Sequence, residues 1–154
     1  MPVLEVKLDP NEGDREAILN PLLAFNDSKA GQDGYKPLAI LLRDDEGGIQ
    51  GGLWAKCYYD WLFVELLFVP EVMRGQQLGA KLLAQAEQWA EEQSCVGIWL
   101  DTFSFQAPGF YQKQGYSVFG TLERYPPIHT REYFCESCFS LVRKVRFGPS
   151  SDEP

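Results

Sequence analysis

Glu65 is the only charged residue in the nine-residue run Trp61-Leu62-Phe63-Val64-Glu65-Leu66-Leu67-Phe68-Val69. A lone carboxylate in apolar surroundings is costly, so such a residue is paired, lines a cavity or does chemistry. As a base it would gain from partial removal from water, which favours proton uptake. The competing reading is a carboxylate satisfied by a nearby Lys, Arg or Tyr. Directly after this run, Pro70-Glu71-Val72-Met73 leads into Arg74-Gly75-Gln76-Gln77-Leu78-Gly79-Ala80 and an amphipathic stretch. A glycine-bearing turn opening into a helix aims free backbone N–H groups and the positive helix end at one point, which suits a phosphate. It is not a Walker A loop, and it lacks the dinucleotide glycine pattern. Without further support it also reads as a plain strand-turn-helix.

Other residues offer less. Asp101 ends the next apolar run and either binds a cationic ligand or caps the turn that follows. His129, the single histidine, sits beside Pro126 and Pro127 on a loop; it reads as a solvent-exposed residue or as part of a binding site. Phe103, Phe105 and Phe110 read as core in preference to stacking groups. Four cysteines do not require a disulfide framework in a chain of 154 residues. Cys135 and Cys138 resemble half a zinc site, but no second pair has matching spacing. They fall in a strand-like run, where residues three apart point to opposite faces. We expect packing or surface thiols and no metal.

The elements that must position these residues follow from periodicity. Val3–Leu8 alternates and reads as a short strand; Asp14–Phe25 has helical spacing, with Pro21 kinking it or starting a second helix. Lys36–Arg43 and Ile49–Tyr59 flank Asp44-Asp45-Glu46-Gly47-Gly48, which is hairpin chemistry. Trp61–Val69 reads as a central strand covered on both faces because its apolar character is nearly unbroken. Leu78, Leu82, Ala86, Trp89 and Ala90 form one stripe of a helix over about 76–93. A strand over 96–103, a short helix over about 107–114 stopped by Gly115, and strands over 116–124 and 131–142 complete an α/β layered domain. We expect one domain over 1–148 and a frayed tail over 149–154.

Bulk properties restrict the classes. Hydrophobic residues make up 45% and aromatics 14%, a globular composition. No apolar run is long enough to span a bilayer, and the first residues lack a signal pattern, so the reading is soluble and cytoplasmic, without a membrane partner. A net charge of −8 repels phosphate backbones, which argues against nucleic acid. It would favour a cationic small molecule or basic peptide, unless it serves solubility alone.

Val69-Pro70-Glu71, Arg74-Gly75-Gln76, Leu78-Gly79 and Lys81-Leu82-Leu83 together closely resemble the acyl-CoA motif of the GNAT N-acetyltransferase superfamily. Ala107 and Phe110-Tyr111-Gln112-Lys113-Gln114-Gly115-Tyr116 resemble its later Phe-Tyr segment, in the same order and separation. The likeness is specific from about Glu65 to Tyr116. It implies a layered fold with a central mixed, mostly antiparallel sheet flanked by helices. It also implies acetyl-CoA as cosubstrate and direct transfer to an amine of a small molecule or peptide in a ternary complex. The alternative is a module that senses acyl-CoA without turnover, and a homodimer is compatible with the sequence. On this resemblance Arg74, Gly75, Gln76, Gln77, Leu78, Gly79 and Ala80 wrap the CoA pyrophosphate. Leu67, Phe68 and Val69 lie along pantetheine, and the Leu67 amide faces the thioester carbonyl. Tyr111 protonates the departing thiolate, Glu65 accepts the amine proton, and Asp101 and His129 lie on the acceptor side. Two positions depart from the superfamily: Gln77 replaces a glycine, and Ser104 replaces an asparagine that contacts the cofactor. A Cβ at 77 weakens close approach to phosphate unless the residue has helical dihedrals with its side chain outward.

Overall fold

The computed structural model describes residues 1–137, which form two compact units, Met1–Asp33 and the chain from Gly34 onward. The first unit holds helix α1 (Glu12–Ala30). Asn11 caps it: the Asn11 side chain accepts from the Asp14 amide at 3.0 Å, and the Asp14 carboxylate accepts from the Asn11 amide at 2.8 Å. Lys7 pairs with the same carboxylate at 2.6 Å. Gly31, at φ 78°, ends the helix, and its amide donates to Asp27 O. Pro21 lies inside one continuous helix, neither ending it nor starting another, although it removes one backbone donor. The expected strand over Val3–Leu8 does not form. Alternation supplies a face but not a ladder, and a strand is stable only when a neighbour accepts its backbone bonds.

Among the described residues the second unit is a six-stranded sheet with two α-helices. Its elements are β1 (Lys36–Arg43), β2 (Ile49–Tyr58), β3 (Trp61–Phe68), α2 (Leu78–Glu92), β4 (Gly97–Phe103), α3 (Pro108–Lys113), β5 (Ser117–Glu123) and β6 (Thr130–Ser137). The spatial order is β1-β2-β3-β4-β6-β5, antiparallel throughout except for the parallel pair β3/β4. The β1–β2 hairpin closes over Asp44, whose carboxylate accepts from the amides of Glu46 (3.1 Å) and Gly48 (2.7 Å). The β2–β3 connection is only Tyr59-Asp60, both at positive φ, the two-residue geometry that matches strand twist. Residues 138–142 of the expected last strand, Cys138 and the 149–154 tail lie outside the described residues.

Helix α2 lies against β1 to β4. Its Leu82, Leu83, Ala86 and Ala90 are buried with Leu53, Ala55, Leu62, Val64, Ile98, Leu100 and Phe134 from the strands. Tyr111 and Tyr116 join this core from α3 and the turn after it. The expectation of a β3 covered on both faces does not hold: in its first half Leu62 and Val64 are buried, whereas Trp61 and Phe63 on the other face are half-buried. Pairing with β4 runs from Trp61↔Gly97 to Val64↔Leu100 and stops there, although both strands continue. Beyond that point Leu66 and Phe68 are 65% and 57% exposed. The apolar run is unbroken because the first half is core and the second half lines an opening.

Candidate active site

The site grows from the point where β3 and β4 part. Glu65 is the first β3 residue after the shared ladder and Asp101 the first on β4. Glu65 is also the extra residue of a β-bulge, because Ala55 pairs with Val64 and Trp54 with Leu66. Bulges re-aim side chains and are common next to active sites. Glu65 Oε1 pairs with Lys56 Nζ at 2.7 Å, and the Glu65 side chain keeps 30% of its exposure. It is therefore paired, as in the alternative reading of a carboxylate met by a nearby Lys, and it is not removed from water as a buried base would be. The hairpin register brings Lys56 opposite Phe63, within reach of Glu65, and the Lys56 ammonium sits 5.7 Å from the Phe63 ring. Glu65, through its hydrogen bond, leads the effects that raise the pKa of Lys56. That register, readable from a two-residue turn, was the sequence signal for Lys56.

Past the bulge at Glu65, the segment Leu66–Phe68 pairs with β2 alone, so the backbone groups it turns toward β4 have no ladder partner. Leu67, opposite Leu53, packs its side chain against the core. Such a free edge is what an amide-bearing ligand arm pairs with.

Val69 and Pro70 lead from β3 into a 3₁₀ turn, Glu71–Met73. Arg74 is extended and its Nε donates to Val69 O at 3.3 Å. Gly75 (φ 80°) and Gln77 (φ 57°, ψ 23°) both adopt left-handed conformations around Gln76. Gln77 thus occupies the conformation that glycine favours, not a right-handed helical one, and retaining it costs about 1–2 kcal/mol. Helix α2 starts at Leu78, two residues later than expected, because residue 77 cannot be helical. Its first turn has no side-chain cap and no acidic residue, so the amides of Leu78, Gly79 and Ala80 stay available to an anion. Gly79 serves packing as well: a Cβ there would meet the Phe110 ring at 3.3 Å.

Tyr111 is buried against Phe110, Tyr116 and Phe134, with ring centroids 5.1, 6.3 and 5.8 Å away. Burial, and then the charge of Asp101, push its phenol up to about 12. The group is fully protonated at neutral pH and can act only as a proton donor there.

On β4 the expected free Asp101 is instead held by Arg131 of β6. Nε and Nη2 of Arg131 both donate to Oδ1 of Asp101, at 2.8 and 2.5 Å. The same guanidinium lies 5.0 Å from the Phe103 ring and 5.1 Å from Tyr125, and Nη1 donates to the Tyr125 hydroxyl at 3.0 Å. Asp101 therefore neither caps the next turn nor stands unpaired; the Gln106 side chain closes that turn by accepting from the Phe103 amide at 2.9 Å and the Thr102 hydroxyl at 3.1 Å. Ser104 accepts from the Thr130 amide at 3.1 Å and lies 3.4 Å from His129 Nδ1. The Phe105 ring meets His129 edge-on, with centroids 4.9 Å apart. Ser104 and His129 thus belong to one cluster joining the end of β4 to the loop before β6. Nothing in the sequence pattern pointed to Arg131, Tyr125 or Gln106, whose roles depend on contacts across the sheet.

Comparison with known proteins agrees with this geometry. The chain matches the acetyltransferase (GNAT) family over residues 8–116 and belongs to that family. It is 40% identical over 107 residues to an acetyltransferase of Agrobacterium fabrum, an alignment covering 70% of this chain and 78% of the relative. It is 43% identical over 84 residues to the blasticidin-S acetyltransferase of Streptomyces morookaense, covering 54% of this chain and 62% of that protein. A crystal structure from Agrobacterium tumefaciens, described as an acetyltransferase, superposes with a TM-score of 0.81 at 33% identity, covering 89% of this chain and 99% of that one.

Proposed function

We propose that the chain moves an acetyl group from acetyl-CoA directly to an amine of a small molecule. The observation that carries this reading is the parting of β3 and β4 after Val64↔Leu100, followed at once by the uncapped start of α2. The pyrophosphate sits at the amides of residues 74–80, pantetheine follows the free edge of Leu67–Val69, and the thioester lies in the fork. The Leu67 amide, fixed before reaction, stabilises the tetrahedral oxyanion. Glu65 is held through one oxygen by Lys56 and takes the amine proton with its second oxygen, directly or through water.

Tyr111 returns a proton to the leaving sulfur. A phenol near 12 is a weak donor to a solvated thiolate of pKa about 8.5. The transfer becomes favourable only as the thiolate forms in the same dry pocket, where its own pKa also climbs. Water exclusion around Tyr111 is thus part of the mechanism.

Similarity to a blasticidin-S acetyltransferase supports a basic, nitrogen-rich antibiotic as the first acceptor to try, and the net charge of −8 suits a cation. The test is thiol release from acetyl-CoA with blasticidin S, aminoglycosides, polyamines, amino acids and N-terminal peptides as acceptors. We expect turnover with at least one small cationic amine. Tyr111→Phe and Glu65→Gln should each lower it ~10²–10⁴-fold while acetyl-CoA still binds. Acetyl-CoA binding with no turnover across the panel would instead identify a sensor.

A further inference from the structure

Cys57 and Cys95 lie in the core, 5% and 6% exposed, with their sulfurs 3.1 Å apart. Sulfur atoms in ordinary contact sit further apart, and the two residues are separated by 38 positions, so folding creates the pair. Cys57 is on the core face of β2, opposite Leu62 of β3. Cys95 precedes β4, between the end of α2 and the first β3–β4 pair, Trp61↔Gly97. The Val96 amide next to it donates to Asp60 O in the β2–β3 turn. The two sulfurs therefore bridge the closed end of the fork whose open end forms the candidate active site. Cys135 pairs in register with Trp99, whereas the core-facing β4 residues are Ile98 and Leu100. Cys135 is on the opposite face and cannot compete for either sulfur.

We propose that Cys57 and Cys95 form a reversible disulfide, a modification site for peroxides and small disulfides, that staples the base of the β3–β4 fork. With a peroxide, the Cys95 sulfur attacks one oxygen, the O–O bond breaks, and a sulfenic acid and water result. The Cys57 sulfur then displaces hydroxide from that sulfenic acid, which leaves as a second water when it takes the remaining thiol proton. Two thiols are oxidised by two electrons and the peroxide is reduced; with a small disulfide, the Cys95 sulfur attacks one sulfur and releases one small thiol, and Cys57 then displaces the second from the mixed disulfide. Cys95 is the first sulfur to be oxidised because its neighbours Ser94 and Val96 are exposed and it lies outside any regular element. Burial and the adjacent Cys57 sulfur push the Cys95 thiol up, so thiolate is scarce at neutral pH and oxidation is slow. The pair answers sustained oxidation and does not act as a fast redox couple.

The experiment treats the full-length chain with hydrogen peroxide, and separately with oxidised glutathione, then alkylates and maps peptides without reduction. We expect a Cys57–Cys95 cross-linked peptide, loss of two of the four thiols, a raised melting temperature, and reversal of all three by dithiothreitol. The melting increase produced by acetyl-CoA should survive oxidation, because the staple is remote from residues 74–80. Cys135→Ser should change none of this, and Cys95→Ser should abolish the cross-link. Because Cys95→Ser perturbs the core, the wild-type peptide map is decisive by itself. Retention of all four thiols in the folded protein, oxidation confined to Cys135 and Cys138, or a stable glutathione adduct on Cys95 would each overturn the proposal.

Discussion

The two long helices begin in opposite ways. Helix α1 starts from Asn11 with a reciprocal cap, two acidic residues in its first turn and Lys7 closing over Asp14. Helix α2 starts from a left-handed Gln77 with no side-chain cap and no acid in its first turn. Both ends have the same unpaired amides and partial positive charge. In α1 the Asn11 side chain takes up the Asp14 amide; the α2 start has no such side-chain acceptor. On the proposed function, the α2 start leaves its amides for the CoA pyrophosphate, whereas the α1 start carries a capping box of its own.

The strongest way to break this contrast is to give α2 what α1 has. Gln76→Glu and Gln77→Glu each add one charge at nearly constant shape. Repulsion of a pyrophosphate at about 6 Å and an intermediate dielectric is on the order of 1.4 kcal/mol per charge. Acetyl-CoA affinity should fall roughly tenfold for each and about a hundredfold for both together. The unliganded protein should be no less stable, since an acid near a helix start is neutral to favourable. Titration calorimetry with acetyl-CoA, beside melting of the free protein, reads the two effects separately. Unchanged affinity in the double variant would show that the α2 start does not hold phosphate.

The reverse change strips α1. Asn11→Ala removes the acceptor for the Asp14 amide and should cost about 1 kcal/mol of local helix stability. Amide exchange over residues 12–16 should quicken while acetyl-CoA affinity stays the same. Smaller still is Gln77→Gly. With right-handed helical dihedrals at 77 glycine would be a loss, but at φ 57° it relieves a left-handed strain and adds only unfolded-state entropy. The net gain should be below about 1 kcal/mol in the free protein, with acetyl-CoA affinity equal or better. A lower melting temperature would show that Gln77 makes a stabilising contact.

Periodicity and turn residues were enough to place α2, the hairpins and the short helix before Gly115 within one or two residues, because those signals are local. The strand expected over Val3–Leu8 failed for the opposite reason: an alternating face says nothing about which edge will pair with it. Similarly, eight apolar residues around a single glutamate did not reveal where β3 leaves β4; that depends on a bulge at Glu65 and on a neighbour thirty-odd positions away. At the candidate site, Glu65 and the Arg74–Ala80 turn were singled out by residue type and spacing, whereas Tyr111 and the cofactor roles came only through the family resemblance. Lys56 and Arg131 were not singled out, since a counter-ion is chosen by register across strands. Asp101 was found, but its engagement by Arg131 was not.

The smallest effects are pH dependences, and the two helices should respond with opposite sign. Asp14 at the α1 cap is held below its usual 3.8, first by the hydrogen bond from Lys7 and then by the Asn11 amide. A carboxyl lowered on folding adds stability that is fully present above 3.8 and is lost as pH falls through the lower folded value. Acid should therefore loosen α1 first, seen as faster exchange over residues 12–16, and Asp14→Asn should remove that dependence. On α2, Glu87 is raised from 4.5 to about 7, first by burial and next by the charge of Glu136, with Glu91 adding a smaller push. The Tyr116 hydroxyl, donating at 3.0 Å, works in the opposite direction. Between 4.5 and about 7 the folded chain binds more protons at this site than the unfolded chain does, so stability falls as pH rises across that window. Glu87 retains solvent contact, which screens the effect and keeps the slope shallow. Melting temperature should decline gently from pH 5 to 8 in the wild type, and Glu87→Gln, which keeps the Tyr116 contact without the charge, should flatten that decline. An unchanged slope in Glu87→Gln would assign the alkaline loss to another group and leave α2 with no pH sensitivity to set against that of α1.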